Sequence, residues 1–326
     1  MKILIIVGII GVSTIISCKK DKSPNNDNTV VYVSGYTKTG QYSNTGGYWK
    51  NGILTTVPKT NSINSIIVSG NNVYVLGTNG YWKNQVYTDL GMNSTLNSIY
   101  ISNNDVYVAG SERIGDTSTA SYWKNGTLVI LTSNTDTSSF VNTGFYVSEF
   151  HYSVANSIFV SGSDVYVAGY VNATGDQVTY WKNGKAIYIT NPLQSYSRAN
   201  SIFVSGNDVY IAGWLDDYNN GHITYWKNGV STYLSSNGGE AQSILVVNGT
   251  VYIAGYINNQ GADDAALWEN GMETTLSNGM FATGIAISNS DIYICGRSNN
   301  NEAIYWKNGK AHILGIGGAT GISIGN

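Results

Sequence analysis

Charge, histidine, cysteine and proline are all scarce in this sequence. Charged residues make up 11% of the 326, with 17 basic against 20 acidic side chains. This balance provides no field that attracts a polyanion, which argues against nucleic acid as a partner. The three histidines, His151, His222 and His312, lack partners at metal-ligand spacing, so neither a metal site nor a cofactor is expected.

Several enzyme motifs are missing as well. The sequence has no G-x-S-x-G nucleophile motif and no Cys-His pattern of a thiol enzyme. Residues 315–321 (GIGGATG) imitate a dinucleotide-binding loop, but their glycine spacing differs and no helix is predicted after them. We therefore predict a turn between two strands at that position.

The residues that are abundant are typical of short strands joined by tight turns. The chain has 38 glycines and 25 tyrosines against three prolines, and 42% of its residues are hydrophobic, enough for a sizeable core. Little in it favours long helices. The composition predicts an all-β protein.

Variants of the motif Tyr-Trp-Lys-Asn-Gly recur along the chain. Their tryptophans are Trp49, Trp82, Trp123, Trp181, Trp226, Trp268 and Trp306. Spacings of 33, 41, 58, 45, 42 and 38 residues, with four short apolar runs in each unit, are typical of propeller blades. In the clearest copy we predict strands at 201–204, 209–213, 225–227 and 230–234, with a type I′ turn at Asn228-Gly229.

The two ends of the chain match complementary parts of the repeat. Residues 29–35 (TVVYVSG) match the second strand of a unit, and residues 319–326 (ATGISIGN) match a first strand. We predict a seven-bladed, monomeric β-propeller of four-stranded blades over residues 29–326, closed by the C-terminal strand, which completes the first blade. Cys295 takes the place of a repeat alanine, which predicts a small buried residue.

Residues 266–315 carry a family resemblance most clearly. Their Leu/Tyr-Trp-x-Asn-Gly turns and Ala-x-Gly-Ile strand resemble the HAF-type extracellular repeat. The resemblance extends over the units from Thr29 onward. It implies an exported β-propeller and no particular catalytic residues.

The N-terminus differs from the repeat. Residues 3–16 are almost wholly apolar but too few to span a bilayer, which needs about 20, so residues 1–17 are predicted to be a signal peptide. Ile15-Ile16-Ser17-Cys18 resembles the lipobox of bacterial lipoprotein signals, which implies that Cys18 is acylated and begins the mature chain. Residues 18–28 would then tether the propeller to the membrane of the cell envelope, with the outer membrane and its surface as the expected place. A plain secretory signal with an incidental cysteine is the alternative.

The turns and loops of such a fold lie on two rims. The first rim, with the turns between strands one and two and between strands three and four, carries repeated lysines and aspartates that we interpret as solvated turns. The second rim carries the loops that differ between units, where function usually lies. Its acidic candidates for ligand binding are Asp216, Asp217, Asp263 and Asp264. Solvated loops remain the alternative, since no stretch has the regular oxygen spacing of a calcium loop.

One connection is longer than its counterparts. Residues 133–156, predicted to join two blades, contain a cluster of aromatic side chains, namely Phe140, Phe145, Tyr146, Phe150 and Tyr152. Long loops in compact domains are usually functional or disordered, and this aromatic content argues against disorder. We predict a lid or stacking platform beside the central channel. The alternative is a loop whose aromatic side chains pack on its own propeller.

Three hypotheses for function remain at this stage. The leading one is a binding module for an extracellular glycan or protein, because aromatic and Asn-rich loops are present while no catalytic constellation is recognisable. The second is a polysaccharide-acting enzyme with two loop carboxylates as acid and base. The third is a structural protein of the cell envelope.

Overall fold

The computed structural model describes residues 29–131, 152–172, 175–190, 196–216, 221–235 and 238–325. Over these residues the chain forms 27 strands and no helix. The strands make five four-stranded sheets and one seven-stranded sheet, and the seven-stranded sheet holds two blades that share its longest strand. The predicted all-β propeller of seven four-stranded blades is therefore confirmed.

The strands pair antiparallel in chain order within each blade, and the first strand lies beside the central axis. Blade 1 contains β1 (Val30–Lys38), β2 (Asn44–Lys50) and β3 (Ile53–Thr56). Blades 2 to 4 contain β4 (Ser65–Ser69), β5 (Asn72–Leu76), β6 (Gly80–Lys83), β7 (Val86–Asp89), β8 (Ser94–Ser102), β9 (Asp105–Ile114), β10 (Thr117–Lys124), β11 (Thr127–Ile130), β12 (Tyr152–Ser161), β13 (Asp164–Asn172), β14 (Asp176–Lys182) and β15 (Lys185–Tyr188). Blades 5 to 7 contain β16 (Arg198–Ser205), β17 (Asp208–Asp216), β18 (Gly221–Lys227), β19 (Val230–Ser235), β20 (Gly239–Val247), β21 (Thr250–Asn259), β22 (Ala262–Glu269), β23 (Met272–Thr275), β24 (Gly279–Ser288), β25 (Asp291–Ser298), β26 (Glu302–Lys307) and β27 (Lys310–Gly325).

Strand β27 belongs to two blades. Residues 310–316 pair with β26 at the outer edge of blade 7, and residues 317–325 pair with β1 as the inner strand of blade 1. The predicted closure by the C-terminal strand is confirmed, with Val31 opposite Ile324. The predicted turn at residues 315–321 is wrong, because these glycines lie inside the strand. They carry the backbone from one blade to the next, paired with β26 before the crossing and with β1 after it.

The Asn-Gly turns adopt the left-handed conformation that a type I′ hairpin requires. In blade 5, Asn228 and Gly229 have φ values of 51° and 84°. Asn228 Oδ1 also accepts a hydrogen bond from the backbone N–H of Val209 at 2.9 Å. The repeated asparagine thus closes one hairpin and fastens it to the neighbouring strand.

The repeated tryptophans fill the seams between blades. All seven are at most 4% exposed. Trp181 of blade 4, for example, packs with Tyr107, Ala109 and Ala120 of blade 3. Seven separate hydrophobic clusters follow this scheme, one at each seam.

Cys295 lies in the seam between blades 7 and 1. Its side chain is fully buried beside Trp49, and this burial raises the pKa of the thiol to about 12. The prediction of a small buried residue at this position is confirmed.

Most inner strands carry a β-bulge that the sequence analysis did not predict. In β12 the bulge places Asn156 as an extra residue between Ala155, opposite Gly169, and Ser157, opposite Ala168. The carbonyl oxygen of Val154 lies so close that a Cβ on Gly169 would stand 1.8 Å from it. The Ala-Gly pair of the repeat therefore marks the strand that faces a bulge.

The strands are longer than predicted where the bulges extend them. In blade 5 the inner strand covers residues 198–205 instead of 201–204. In blade 4 the inner strand begins at Tyr152, so residues 152–156 are strand and not part of the long connection. Tyr152 is consequently a sheet residue.

Candidate functional site

The first rim repeats one hydrogen-bonded cluster in blades 3, 4, 5 and 7. In blade 5, Lys227 Nζ lies 2.8 Å from Asp208 Oδ2 and 5.3 Å from the centre of the Tyr210 ring, while Asn228 Nδ2 donates to Asp208 Oδ1 at 2.7 Å. Hydrogen bonds from Lys227 and Asn228 lower the pKa of Asp208. The equivalent pairs are Lys124–Asp105, Lys182–Asp164 and Lys307–Asp291. In each cluster the lysine neutralises the aspartate of its own blade. We therefore interpret the clusters as structural contacts that hold two neighbouring turns together.

Polar side chains line the channel along the propeller axis. Each blade contributes one, at the inner-strand bulge in six blades and just before β4 in blade 2, and we call this set the inner ring: Asn64, Asn97, Asn156, Asn200, Gln242, Thr283 and Thr320. Six of the seven donate a hydrogen bond to a backbone carbonyl of the next blade; Asn97 Nδ2, for example, lies 2.9 Å from Ala155 O. The inner ring therefore ties each of these blades to its neighbour.

Gln242 departs from the inner-ring pattern. Its Nε2 donates to Glu240 Oε2 of the same strand at 2.5 Å. Asn200 Nδ2 lies 3.4 Å from the same carboxylate oxygen. Among the described residues, Gln242 makes no hydrogen bond to blade 7, so the inner ring is open at the seam between blades 6 and 7.

A cleft of about 260 Å³ opens beside this seam on the second rim. We call it the channel-mouth cleft; its lining side chains from blades 6, 7 and 1 include Tyr36, Gln242, Tyr256, Phe281, Thr283 and Arg297. Tyr256 and Phe281 meet edge to face, with ring centroids 4.9 Å apart and an interplanar angle of 84°. Gln242 and Thr283 also line the channel, so the two spaces meet there. Aromatic walls with a few polar groups are common features of small-ligand sites.

The electrostatics of the cleft centre on Tyr256. Burial raises the pKa of its phenol to about 12, and the nearby charges of Glu240 and Asp263 add to this effect. The hydroxyl therefore keeps its proton near neutral pH and can donate a hydrogen bond to a ligand.

Arg297 supplies the positive charge of the cleft. Its Nη2 donates to Asn301 Oδ1 at 2.5 Å. Its Nε is buried and has no hydrogen-bond partner among the described residues. The guanidinium thus retains donor capacity that the surrounding chain does not use.

A second polar cluster lies on the same rim between blades 4 and 5. Asp176, whose side chain is 1% exposed, pairs with Arg198 Nη2 at 2.7 Å and accepts a hydrogen bond from the Tyr152 hydroxyl at 3.1 Å. The Arg198 guanidinium lies 5.0 Å from the centre of the Tyr170 ring. These contacts give Tyr152, predicted as a ligand contact, a structural partner inside the sheet.

The described acidic candidates lie apart from Tyr152. Asp263 and Asp264 begin β22 in blade 6, where they accept hydrogen bonds from Asn258 at 3.0 Å and Asn259 at 3.4 Å. Asp216 ends β17 in blade 5. Of these three, Asp263 is the one that acts on the channel-mouth cleft, through its charge near Tyr256.

The remaining predicted site residues lie outside the described residues. They are Phe140, Phe145, Tyr146, Phe150, Asp217 and the lipidation residue Cys18. In the part of the chain that the structure describes, no three His, Cys, Asp or Glu side chains come together to hold a metal ion. No helix among those same residues is long and apolar enough to cross a membrane.

The residues that build the cleft were not among those predicted from the sequence. Tyr36, Tyr256 and Arg297 each follow the glycine that faces a bulge, a position that holds Ser111 in blade 3 and Tyr170 in blade 4. Variation at this one position, together with glutamine in place of asparagine at 242, is the signal that could have located the site.

Among solved structures, the chain is similar to acylaminoacyl peptidase of Pyrococcus horikoshii, with 14% identity, a TM-score of 0.50, and coverage of 88% of this chain and 50% of the peptidase. TolB from Acinetobacter baumannii follows, with 11% identity, a TM-score of 0.49, and coverage of 90% of this chain and 66% of TolB. The computationally designed protein Ika8 has 14% identity, a TM-score of 0.44 and coverage of 86% of both chains.

These comparisons concern the fold alone. The chain spans half the length of the peptidase, and at 14% identity the match supports a shared β-propeller architecture without extending to activity. No protein-family model and no curated protein matches the sequence. The resemblance to the HAF-type repeat therefore stays a prediction, while the β-propeller is established by the strand topology.

Proposed function

We propose that this protein is a binding module whose channel-mouth cleft holds one unit of an extracellular glycan. The observation that supports the proposal is an aromatic cleft located where the inner ring is open. Side chains tied to the next blade elsewhere in the ring are replaced there by Gln242, which hydrogen-bonds Glu240 of its own strand and lines the cleft at the channel mouth.

The chemistry of the cleft suits a sugar ring. Aromatic faces carry partial negative charge and pack against the C–H groups of a pyranose, a contact that Tyr36, Tyr256 and Phe281 can provide. Gln242 and Thr283 already donate to Glu240 and to the Ala319 carbonyl, but their side-chain oxygens can still accept hydrogen bonds from sugar hydroxyls. The volume of about 260 Å³ is small enough to favour a single ring over a folded partner.

A glycan array probed with the purified full chain in detergent tests this proposal. We expect Tyr256→Ala to weaken binding about tenfold, equal to about 1.4 kcal/mol, because a central aromatic contact is lost. Tyr233→Ala is the matched control, since Tyr233 is 55% exposed on the outer strand of blade 5. Equal binding by both variants would contradict the placement in the cleft.

Two further arms of the array separate the other hypotheses. A chain in which residues 133–151 are shortened tests the predicted aromatic platform of Phe140, Phe145, Tyr146 and Phe150. Loss of signal there, with Tyr256→Ala unchanged, would move the site to that segment. Release of soluble sugar during incubation would favour the polysaccharide-acting enzyme, with Glu240 and Asp263 beside Tyr256 as its first candidates.

We also propose that the protein is exported and anchored by lipid on Cys18. The support is the run of apolar residues before Ser17-Cys18 and the polar residues after it. Cells grown with an alkyne fatty acid should label the wild-type protein, whereas Cys18→Ala should lose the label and leave the membrane fraction. Cys295→Ala is the matched control, and labelling of Cys18→Ala at the wild-type level would contradict the proposal.

A further inference from the structure

The three arginines of the chain differ in how their charge is balanced. Arg198 pairs with buried Asp176 at 2.7 Å, and Arg113 lies 3.7 Å from Asp116. Arg297 makes no ion pair with any described residue. Among the residues that line the channel-mouth cleft it is the one charged side chain.

The carboxylates whose charges act on Tyr256 of the cleft are engaged elsewhere. Glu240 accepts hydrogen bonds from Gln242 and Asn200 on the channel side. Asp263 accepts a hydrogen bond from Asn258 in its own hairpin. Arg297 itself donates to a neutral amide, Asn301, and its Nε–H has no acceptor. The half-buried guanidinium is therefore left with its charge unpaired.

We propose that Arg297 binds the carboxylate of an acidic sugar, so that the glycan held in the cleft is a polyuronate. This inference rests on the proposed function of the same cleft. A guanidinium presents planar pairs of N–H donors that match the two oxygens of a carboxylate, and the resulting hydrogen bonds are charge-assisted. In a hexuronate the carboxylate projects from the ring edge, so Arg297 can hold it while the ring packs on the aromatic walls.

The shape of the cleft favours a sugar acid over an acidic peptide. An extended peptide needs a groove or an open sheet edge to satisfy its backbone groups. The channel-mouth cleft is instead a half-open pocket of about 260 Å³ between side chains of three blades. A charged ring with few rotatable bonds fits this arrangement.

Matched acidic and neutral sugars provide the test. Binding of the full chain in detergent is measured by calorimetry with trimers of galacturonate, glucuronate, mannuronate and guluronate, and with their methyl esters. We expect at least one acid to bind ten times or more tightly than its ester, with the preference falling at high salt. The ester comparison uses the unaltered protein, so it does not depend on how a variant folds.

Variants identify the residue responsible. In Arg297→Gln the affinity for the acid should fall to the affinity for its ester. Arg297→Lys should retain part of the preference for the acid, and Arg113→Gln should behave as wild type. If acid and ester bind equally while Tyr256→Ala still weakens the binding of both, the inference about Arg297 is overturned and the glycan-binding proposal stands. If no sugar of either form binds, both proposals fail. Acid preference that survives in Arg297→Gln would also overturn the role of Arg297.

Discussion

Deleting residues 319–326 is expected to abolish cooperative folding of the propeller. The deletion removes the inner strand of blade 1, which pairs with β1 and packs Ile322 and Ile324 on the seam between blades 7 and 1. It also removes two ties to blade 2, the hydrogen bonds from Thr320 Oγ1 to Ile63 O and from Val68 N to Ser323 Oγ at 3.0 Å. Without residues 319–326, β1 becomes an edge strand that is paired mainly with β2, in an open ring.

Chemical denaturation followed by tryptophan fluorescence measures this effect. The full chain should unfold in a steep transition, and the truncated chain should show a broad transition or aggregate. Ile313→Ser is the matched control, because Ile313 is 50% exposed in the blade 7 half of the same strand. A truncated chain with an unchanged midpoint would show that the ring does not need its closing strand.

Replacing a glycine opposite a bulge should be far more destabilising than replacing one in a hairpin turn. In Gly169→Ala the new Cβ would lie 1.8 Å from the carbonyl oxygen of Val154, so the backbone of β12 must move. We expect the free energy of unfolding to fall by about 3 kcal/mol or more. In Gly184→Ala no atom lies within 4 Å of the new Cβ, and the left-handed φ of 82° should cost about 1 kcal/mol.

The same denaturation experiment compares the two glycines. Both substitutions add one methyl group in blade 4, but only in Gly169→Ala does the methyl group meet the bulge. Equal midpoints for the two variants would mean that the inner strand relaxes freely. In that case the bulge would not hold Asn156 in place for its hydrogen bond to Ala199 O.

The fold was predictable because the sequence signals for each blade lie within its own repeat unit. An Asn-Gly pair needs no distant partner to form a hairpin, and a tryptophan every few tens of residues marks each seam. The bulges were missed because they depend on pairing between strands. The Ala-Gly pair opposite Asn156 was visible in the sequence, but its meaning requires the register between β12 and β13.

The channel-mouth cleft was harder to predict than the fold. Tyr36 and Arg297 lie 261 positions apart in the sequence and become neighbours only because the ring closes. The candidates taken from the sequence were loops with unusual composition, and of their described acidic residues Asp263 acts on the cleft through Tyr256. The aromatic walls and Arg297 instead occupy regular strand positions, where the repeat pattern gives no indication of function.

The double membership of β27 has a consequence for how the protein is made. Val31 finds its partner Ile324 only after all the residues between them have been synthesised. At ribosomal speeds of about 5–20 residues per second, β1 waits roughly 15–60 s with one hydrogen-bonding edge unoccupied. The first blade to leave the ribosome is thus the last to be completed. Until then the nascent chain depends on chaperones, or on remaining unfolded, to keep that edge from pairing with another molecule.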